Sequence, residues 1–345
     1  MDKNILTFGE IMLRLAPPSN KRFTQARSFD VVYGGGEANV AVSLANFGFS
    51  VDFVTRLPKN ALGDACIQYL QQFGVNTSKI VRGGDRIGIY FLEIGASARP
   101  SKVIYDRGRS GIATAEPGVF NWDKLFKDVG WFHITGITPA ISQNLADICL
   151  EAVSIAKKKD ITVSCDLNYR SKLWKYGKEP FEVMPKLVKY CDVVIGNEED
   201  AEKVLRISAP NTDVTSGELK AENYRYVVTE MKKQFKNLQK IAITLRGSIS
   251  ASYNTWSAVL YDGNQMYKGP QYDITPIVDR VGGGDSFMGG LIYGLLNFKD
   301  SPQKALDFAV AASCLKHTIY GDFNLVSIEE VLNVMKGDTS GRVSR

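Results

Sequence analysis

The chain has 345 residues, 44% hydrophobic and 23% charged, an ordinary globular composition with enough length for a large core. Its 42 basic and 37 acidic residues leave a formal charge of +5, too small and too scattered for a nucleic-acid surface. Five scattered cysteines without CxxC spacing read as buried thiols, two histidines argue against zinc, and no signal-peptide core or membrane-length apolar run is seen, so a cytoplasmic location is expected.

Taken in chain order, residues 5–8 form a β-branched, aromatic run that reads as a strand. Residues 11–33 are strand-rich and carry no helix pattern. Helical periodicity follows over 37–47, then a strand over 51–55 and a helix over 61–73. Residues 80–105 again hold only strands, one over 87–94 and one over 102–105. From there strands at 131–134, 162–166, 193–195 and 241–245 alternate with helices at 142–158, 180–189, 199–205 and 222–235. Residues 250–268 read as further strands, 287–296 as a buried helix, and 337–345 as a small polar tail.

This alternation is the βαβ rhythm of a doubly wound, mostly parallel sheet with helices on both faces, a three-layer α/β/α sandwich. The two helix-free regions, 11–33 and 80–105, supply strands for a small β lid. No linker, repeat or low-complexity tract divides the chain, so residues 1–345 read as one domain. Ligands in such sheets bind beyond the carboxyl ends of the strands.

The chemistry concentrates in Asp279-Arg280-Val281-Gly282-Gly283-Gly284-Asp285-Ser286-Phe287. Three glycines before an apolar helix let backbone amides approach a ligand at a helix start, where the macrodipole favours phosphate. Asp285 stands in the first turn. A capping role would account for Asp285 but not for three glycines in a row. A second cluster, Gly34-Gly35-Gly36-Glu37-Ala38-Asn39, precedes the first helix; by itself it is as readily a close-packed turn as a ligand site. No GxxxxGK[ST] and no GxGxxG after the first strand is present, so P-loop and dinucleotide-binding chemistry are not indicated. Asn197-Glu198-Glu199-Asp200 follows a strand, as acids at a helix start or as acids at a pocket mouth.

The two glycine clusters, in this order and at opposite ends of the chain, resemble the two signatures of the PfkB, or ribokinase-like, carbohydrate kinases. Arg280 stands where the family pattern has Thr, and Gly283 where it has Ala. The resemblance implies a ribokinase-like fold and ATP-dependent phosphorylation of a primary hydroxyl. It implies that Gly282, Gly283 and Gly284 form the anion hole, that Asp285 is the catalytic base, and that Gly34, Gly35 and Asn39 meet the sugar. Asn197 with Asp200, or Glu199 in its stead, would hold Mg2+ and its waters, although the family has Glu where this chain has Asp200. Gly247 in Thr244-Leu245-Arg246-Gly247 would meet the nucleotide, and Arg246 departs from the pattern there.

On the sugar side, Tyr90, Tyr105, Arg107 and Arg170 fall in the lid or beside a strand end. Two guanidinium groups and two phenols around one cleft suit a carboxylate with several hydroxyls. Segments 105–110, 165–174 and 316–324 resemble, within the family, the 2-keto-3-deoxygluconate kinases. That likeness implies sugar-acid contacts from Gly35, Tyr90, Tyr105, Arg107, Arg170 and Asp285, with Asn168, Ser313 and Lys316 towards the nucleotide. ATP and Mg2+ are the implied cofactors, with a monovalent cation near Asp279 left open, and an oligomer through the lid edges is the expected assembly. The alternatives are a fructokinase- or ribokinase-type enzyme, a nucleoside kinase lacking its aromatic clamp, and a non-catalytic sugar-acid sensor.

Overall fold

The structure is a computed structural model that describes residues 4–208 and 221–338. The polar tail foreseen at 337–345 therefore lies, from residue 339 on, outside the described residues. The chain opens with β1 (Asn4–Phe8), β2 (Met12–Ala16) and β3 (Asp30–Gly34), followed by α1 (Gly36–Asn46) and β4 (Val51–Val54). Next come β5 (Arg56–Leu57), α2 (Ala61–Gln72), β6 (Val81–Arg82), β7 (Gly88–Glu93), β8 (Lys102–Asp106) and α3 (Trp122–Leu125). The repeating core runs β9 (Val129–Thr135), α4 (Gln143–Lys158), β10 (Thr162–Asp166), α5 (Pro180–Val188), β11 (Val193–Gly196), α6 (Glu198–Leu205) and α7 (Ala221–Gln234). The chain then forms β12 (Lys240–Ser250), β13 (Tyr253–Tyr261), β14 (Met266–Lys268), β15 (Tyr272–Ile274), α8 (Gly283–Asn297), α9 (Pro302–Lys316) and α10 (Ile328–Met335).

The central sheet has nine strands in the order β14-β13-β12-β11-β10-β9-β1-β4, with β15 paired to β13. Pairing is parallel from β4 through β12 and antiparallel around β13. Alternating side chains feed two cores. Leu6, Phe8, Phe132, Ile134, Val163 and Val194 pack with α4, α5, α6 and α7. Ile5, Trp131, Val193 and Ile195 pack on the other face with α1, α2, α8 and α9. Each fully buried Phe or Ile here is worth about 1.5–3 kcal/mol over its exposed state.

A separate four-stranded sheet, order β3-β2-β7-β8, is the lid. Its inner face carries Met12, Tyr90 and Leu92 into a small cluster with Tyr105 and Val281 of the glycine-rich segment. Short β5 and β6 pair in parallel beside it. Among the described residues no helix is long and apolar enough to cross a membrane, and all five cysteines are free.

Candidate active site

Because β1, β4, β9, β10 and β11 of the central sheet run the same way, their carboxyl ends share one edge. The chain after β1 (Gly9, Glu10), the ends of β9 (Thr135) and β10 (Asp166), and the starts of α1, α6 and α8 are brought together there. The start of α8 is the most constrained of these. Gly282 sits at its N-cap in the left-handed region, with φ +84°. A Cβ there would lie 2.0 Å from the carbonyl oxygen of Asp322, so a side chain is excluded twice over. The Ser286 N–H returns to the Gly282 carbonyl at 2.8 Å. Among the described residues the amides of Gly284 and Asp285 have no backbone acceptor, as expected for a first helical turn. A Cβ on Gly284 would meet nothing within 4 Å, so this turn faces open space. From behind, the Ser313 hydroxyl donates to the Gly283 carbonyl at 2.7 Å, and a Cβ on Gly283 would strike the His317 ring at 2.7 Å. Burial pulls His317 down to about 4, which keeps that ring neutral.

Asp285 opens onto the cleft yet is enclosed by protein. Loss of hydration pushes its carboxyl up to about 6, against the pull of an Asn39 donor and the Arg170 charge. Asn39 Nδ2 donates to Asp285 Oδ2 at 2.6 Å, and Asn39 Oδ1 accepts the Gly35 N–H at 3.2 Å. The Asn39 amide is thus committed to the carboxylate and to the glycine turn.

A cleft of about 360 Å³, partly open to solvent, has Glu10, Gly35, Gly36, Glu37, Tyr105, Arg107 and Arg170 among its walls; Asp285 borders it beside Gly36, where an added Cβ would lie 3.5 Å from Asp285 Oδ1. Gly35 lies so close to β1's exit that a Cβ would come within 2.0 Å of the Glu10 carbonyl. The two arginines paired in the sequence reading turn out unlike. Arg107 Nε donates to Glu10 Oε2 at 2.7 Å, the two side chains form a buried ion pair, and the Ser110 hydroxyl donates to the other Glu10 oxygen at 2.5 Å. Arg170 is exposed, donates to its neighbour's carbonyl at 2.7 Å, and has no ion pair among the described residues. Tyr105 lies 5.6 Å from the Arg107 guanidinium. Tyr90 is buried instead, its hydroxyl donating to Asp322 Oδ2 at 2.5 Å. Gly34 faces the same Asp322 carboxylate.

Glu37 escaped sequence reasoning although it sits inside the second glycine cluster. Its Oε1 accepts from the Thr135 amide at 3.0 Å and from the hydroxyls of Thr135 and Thr138, each at 2.8 Å. Burial pushes the carboxyl up to about 7 despite those donors. It fastens the start of α1 to the end of β9.

On the remaining side, Asn197 and Asp200 close a capping box at the start of α6. Both Asp200 oxygens are engaged, Oδ1 by the Tyr169 amide at 2.7 Å and Oδ2 by the Asn197 amide at 2.8 Å. Glu199 is exposed. Asn168, in a left-handed conformation with φ +41°, donates to Asp166 Oδ2 at 3.3 Å. Asp166, also missed in the sequence, is pushed well above the usual carboxylate range by burial and then by the charges of Asp200 and Asp285. Gly247 is not in a turn: it pairs with Thr255 inside the β12–β13 ladder. Its neighbour Arg246 shares the field of Arg170, Glu198, Glu199 and Asp200. Arg280 donates to the carbonyls of Ser250 and Ala251 at 3.1 and 2.9 Å, tying that hairpin to the glycine segment.

Beneath the glycine segment lies a buried ionic cluster. Arg14 of the lid strand β2, fully buried, donates to Asp279 Oδ2 at 2.5 Å and to Asp322 Oδ1 at 2.8 Å. Lys316 is fully buried too, and its ammonium donates to the backbone carbonyls of Asp279 and Ile319 at 3.2 and 3.5 Å. Desolvation pulls its pKa down while Asp279 and Asp322 oppose the shift. Lys316 and Ser313 thus both bond to the main chain of the glycine segment, at Asp279 and Gly283.

Residues 2–326 match the family described as pfkB family carbohydrate kinase. A 2-dehydro-3-deoxygalactonokinase from Haloferax volcanii is 32% identical over 99% of this chain and 99% of its own length. The crystal structure of 2-dehydro-3-deoxygluconokinase from Thermotoga maritima is similar with a TM-score of 0.91, at 50% identity over 98% of this chain and 99% of that one. A fructokinase from Xylella fastidiosa solved with bound ATP has the same fold, with a TM-score of 0.77 at 23% identity over 98% of this chain and 99% of that one.

Proposed function

Because the chain belongs to the pfkB family of carbohydrate kinases, we propose that its sugar acceptor is 2-keto-3-deoxygluconate (2-dehydro-3-deoxygluconate). The chain is a phosphotransferase acting on an alcohol group, with ATP as donor. On this reading the 6-hydroxyl is phosphorylated, giving ADP and 2-keto-3-deoxy-6-phosphogluconate. The observation that carries the reading is the Arg170 guanidinium, without an ion pair among the described residues, on the wall of a cleft whose Gly36 borders Asp285. A neutral sugar needs no free cation there, whereas a carboxylate does. Arg107, already neutralised by Glu10, serves better to orient Tyr105 and the hydroxyls than to bind the acid. The Thermotoga relative's name supports the same substrate class. The Haloferax relative supports a second reading, the galactonate epimer, which differs at one hydroxyl.

In the proposed mechanism the acceptor hydroxyl approaches Asp285, whose carboxylate accepts its proton as the oxygen attacks the γ-phosphorus in line. Asn39 holds the carboxylate in place. The free amides of Gly284 and Asp285 face the transferring phosphoryl oxygens and stabilise their charge. The lid sheet keeps water from competing for ATP. The buried Asp166 carboxyl, lying in the field of the Asp200 and Asp285 charges, suits a divalent cation nearby. No set of three metal-ligating side chains converges among the described residues, so Asp166 and Asp200 would hold Mg2+ through water and phosphate. When bound, Mg2+ supplies neutralisation of the β- and γ-phosphates.

The assembly we propose is a dimer through the outer lid face. There Val31, Leu15, Phe91 and Ile104 lie directly opposite one another across the four strands, and Val31 and Ile104 are each 55% exposed. Light scattering should report a dimer, and Val31→Lys with Ile104→Lys a monomer. For the reaction itself, NMR of the product formed from 2-keto-3-deoxygluconate and Mg-ATP should show phosphate on the C6 oxygen. Phosphate at any other position contradicts the proposal.

A further inference from the structure

A lysine ammonium with no exposed surface, donating to main-chain carbonyls directly behind the anion hole, is costly unless its charge is used. Lys316 is the last residue of α9, six positions before Asp322, which Arg14 of β2 bonds. Its Nζ joins the Asp279 carbonyl, which begins the glycine segment, to the Ile319 carbonyl in the loop that follows α9. The same two stretches are bonded again by the Val278 and Asp279 amides to the His317 carbonyl at 2.9 and 3.2 Å, and by the Gly321 amide to Asp279 Oδ2 at 3.1 Å.

A dissociable monovalent cation near Asp279 would need oxygen ligands and a charge deficit, and the oxygens there already have donors. Asp279 Oδ1 accepts the Val281 amide at 3.1 Å, and Oδ2 accepts Arg14 and Gly321. Asp322 Oδ1 accepts Arg14, and Oδ2 accepts Tyr90. The carbonyls of Asp279 and Ile319 are taken by the ammonium. Among the four side chains Arg14, Lys316, Asp279 and Asp322, formal charges cancel; Asp285 shares the field of Lys316 and Asp322.

We propose that the Lys316 ammonium is a covalently built-in monovalent cation, which positions the Asp279–Asp285 segment for phosphoryl transfer and frees this kinase from any need for potassium or a similar ion. Lys316 touches neither substrate in this account; it acts through the segment it holds, as a positioning residue. The inference rests on the kinase activity and not on which sugar acid is phosphorylated.

The test compares ADP release with 2-keto-3-deoxygluconate and Mg-ATP in potassium, ammonium, sodium and tetramethylammonium chloride at matched ionic strength. The same series is run on thermal melting, which needs no acceptor. Wild type should be indifferent to the cation in both measurements. Lys316→Ala should lose activity by about 10- to 100-fold in tetramethylammonium, as expected for a displaced catalytic segment. It should regain most of that activity, and some melting temperature, with potassium or ammonium. Strong potassium activation or stabilisation of the wild type overturns the proposal, whether or not the variant folds. So does a folded Lys316→Ala enzyme that no small cation restores, or one that is fully active without them. A wrong acceptor shows itself differently, as absent turnover in every salt, and the melting series still decides.

Discussion

Asn39 Nδ2 and Asp285 Oδ2 stand 2.6 Å apart although 246 positions separate the two residues. This bond joins the first helix of the chain to α8, so both glycine clusters address one carboxylate. It also sets the chemistry of that carboxylate, because a donor to the ionised form opposes the upward push of desolvation.

Asp285→Asn should fold and bind both substrates while kcat falls by about 10²–10⁴-fold, the usual worth of a positioned base. Since the wild-type carboxyl has a raised pKa, the fold disfavours its charge. At pH above 6 the amide variant should therefore equal or exceed wild type in stability, by about 1–2 kcal/mol once solvent access is allowed for. Calorimetry and steady-state kinetics check the two parts.

The pH profile follows from the same group. The base must be ionised, so kcat/KM should fall as pH drops through about 6. Asn39→Ala removes a donor that lowers this pKa, and the acid limb should move to higher pH. A limb that stays where it was means another group controls it.

Arg170→Met should raise KM for the sugar acid by about 10- to 100-fold, the loss of a charged hydrogen-bonding partner, with a smaller change in kcat. Arg107→Met should behave differently, since it leaves Glu10 buried without its cation. Breaking such a pair costs about 3–5 kcal/mol, so the melting temperature should drop, and Glu10→Gln in the same chain should recover part of it. Melting curves and KM values for the three variants separate the roles.

Two glycines two positions apart should respond oppositely. Gly284→Ala has room for its methyl group, so the fold should persist while the methyl intrudes on the proposed phosphate site and activity falls. Gly282→Ala meets the Asp322 carbonyl at 2.0 Å with φ +84°, and should lose stability first. Thermal melting beside ADP release distinguishes them.

Glu37 titrates near 7 in the fold, against an ordinary value of 4.5. The folded state therefore holds this proton more tightly, and the contribution of Glu37 to stability declines as pH rises from about 4.5 to above 7. Glu37→Gln keeps an acceptor for Thr135 and Thr138 but cannot ionise. Its stability relative to wild type should rise across that window; a flat difference would contradict the assignment.

Much of the fold was legible in the pattern of apolar residues. The strands of the parallel core and the helices between them fall within a residue or two of their periodic signals, except that β12 runs on five residues past its apolar start, to the turn that leads into β13. α9 gave no such signal because small apolar residues surround it on most sides, and burial on most sides has no period. The glycine segments were legible because three adjacent glycines cost backbone entropy on folding, a cost that a close approach of main chain to ligand or to neighbouring main chain offsets. The partners of charged residues were not. Arg107 finds Glu10 across 97 positions and Arg14 finds Asp279 across 265, so the sequence could offer two arginines for one carboxylate and not say which was already paired. The bonds of the Lys316 ammonium to the Asp279 and Ile319 carbonyls were hidden for the same reason.

The most direct measurement is coupled ADP release with Mg-ATP against 2-keto-3-deoxygluconate, its galactonate epimer, fructose, ribose and adenosine, on the wild type and on Arg170→Met. The account predicts turnover confined to the keto-deoxy acids, and a specificity constant that collapses for them in the variant. Efficient turnover of fructose or ribose, unchanged by the loss of Arg170, would contradict it.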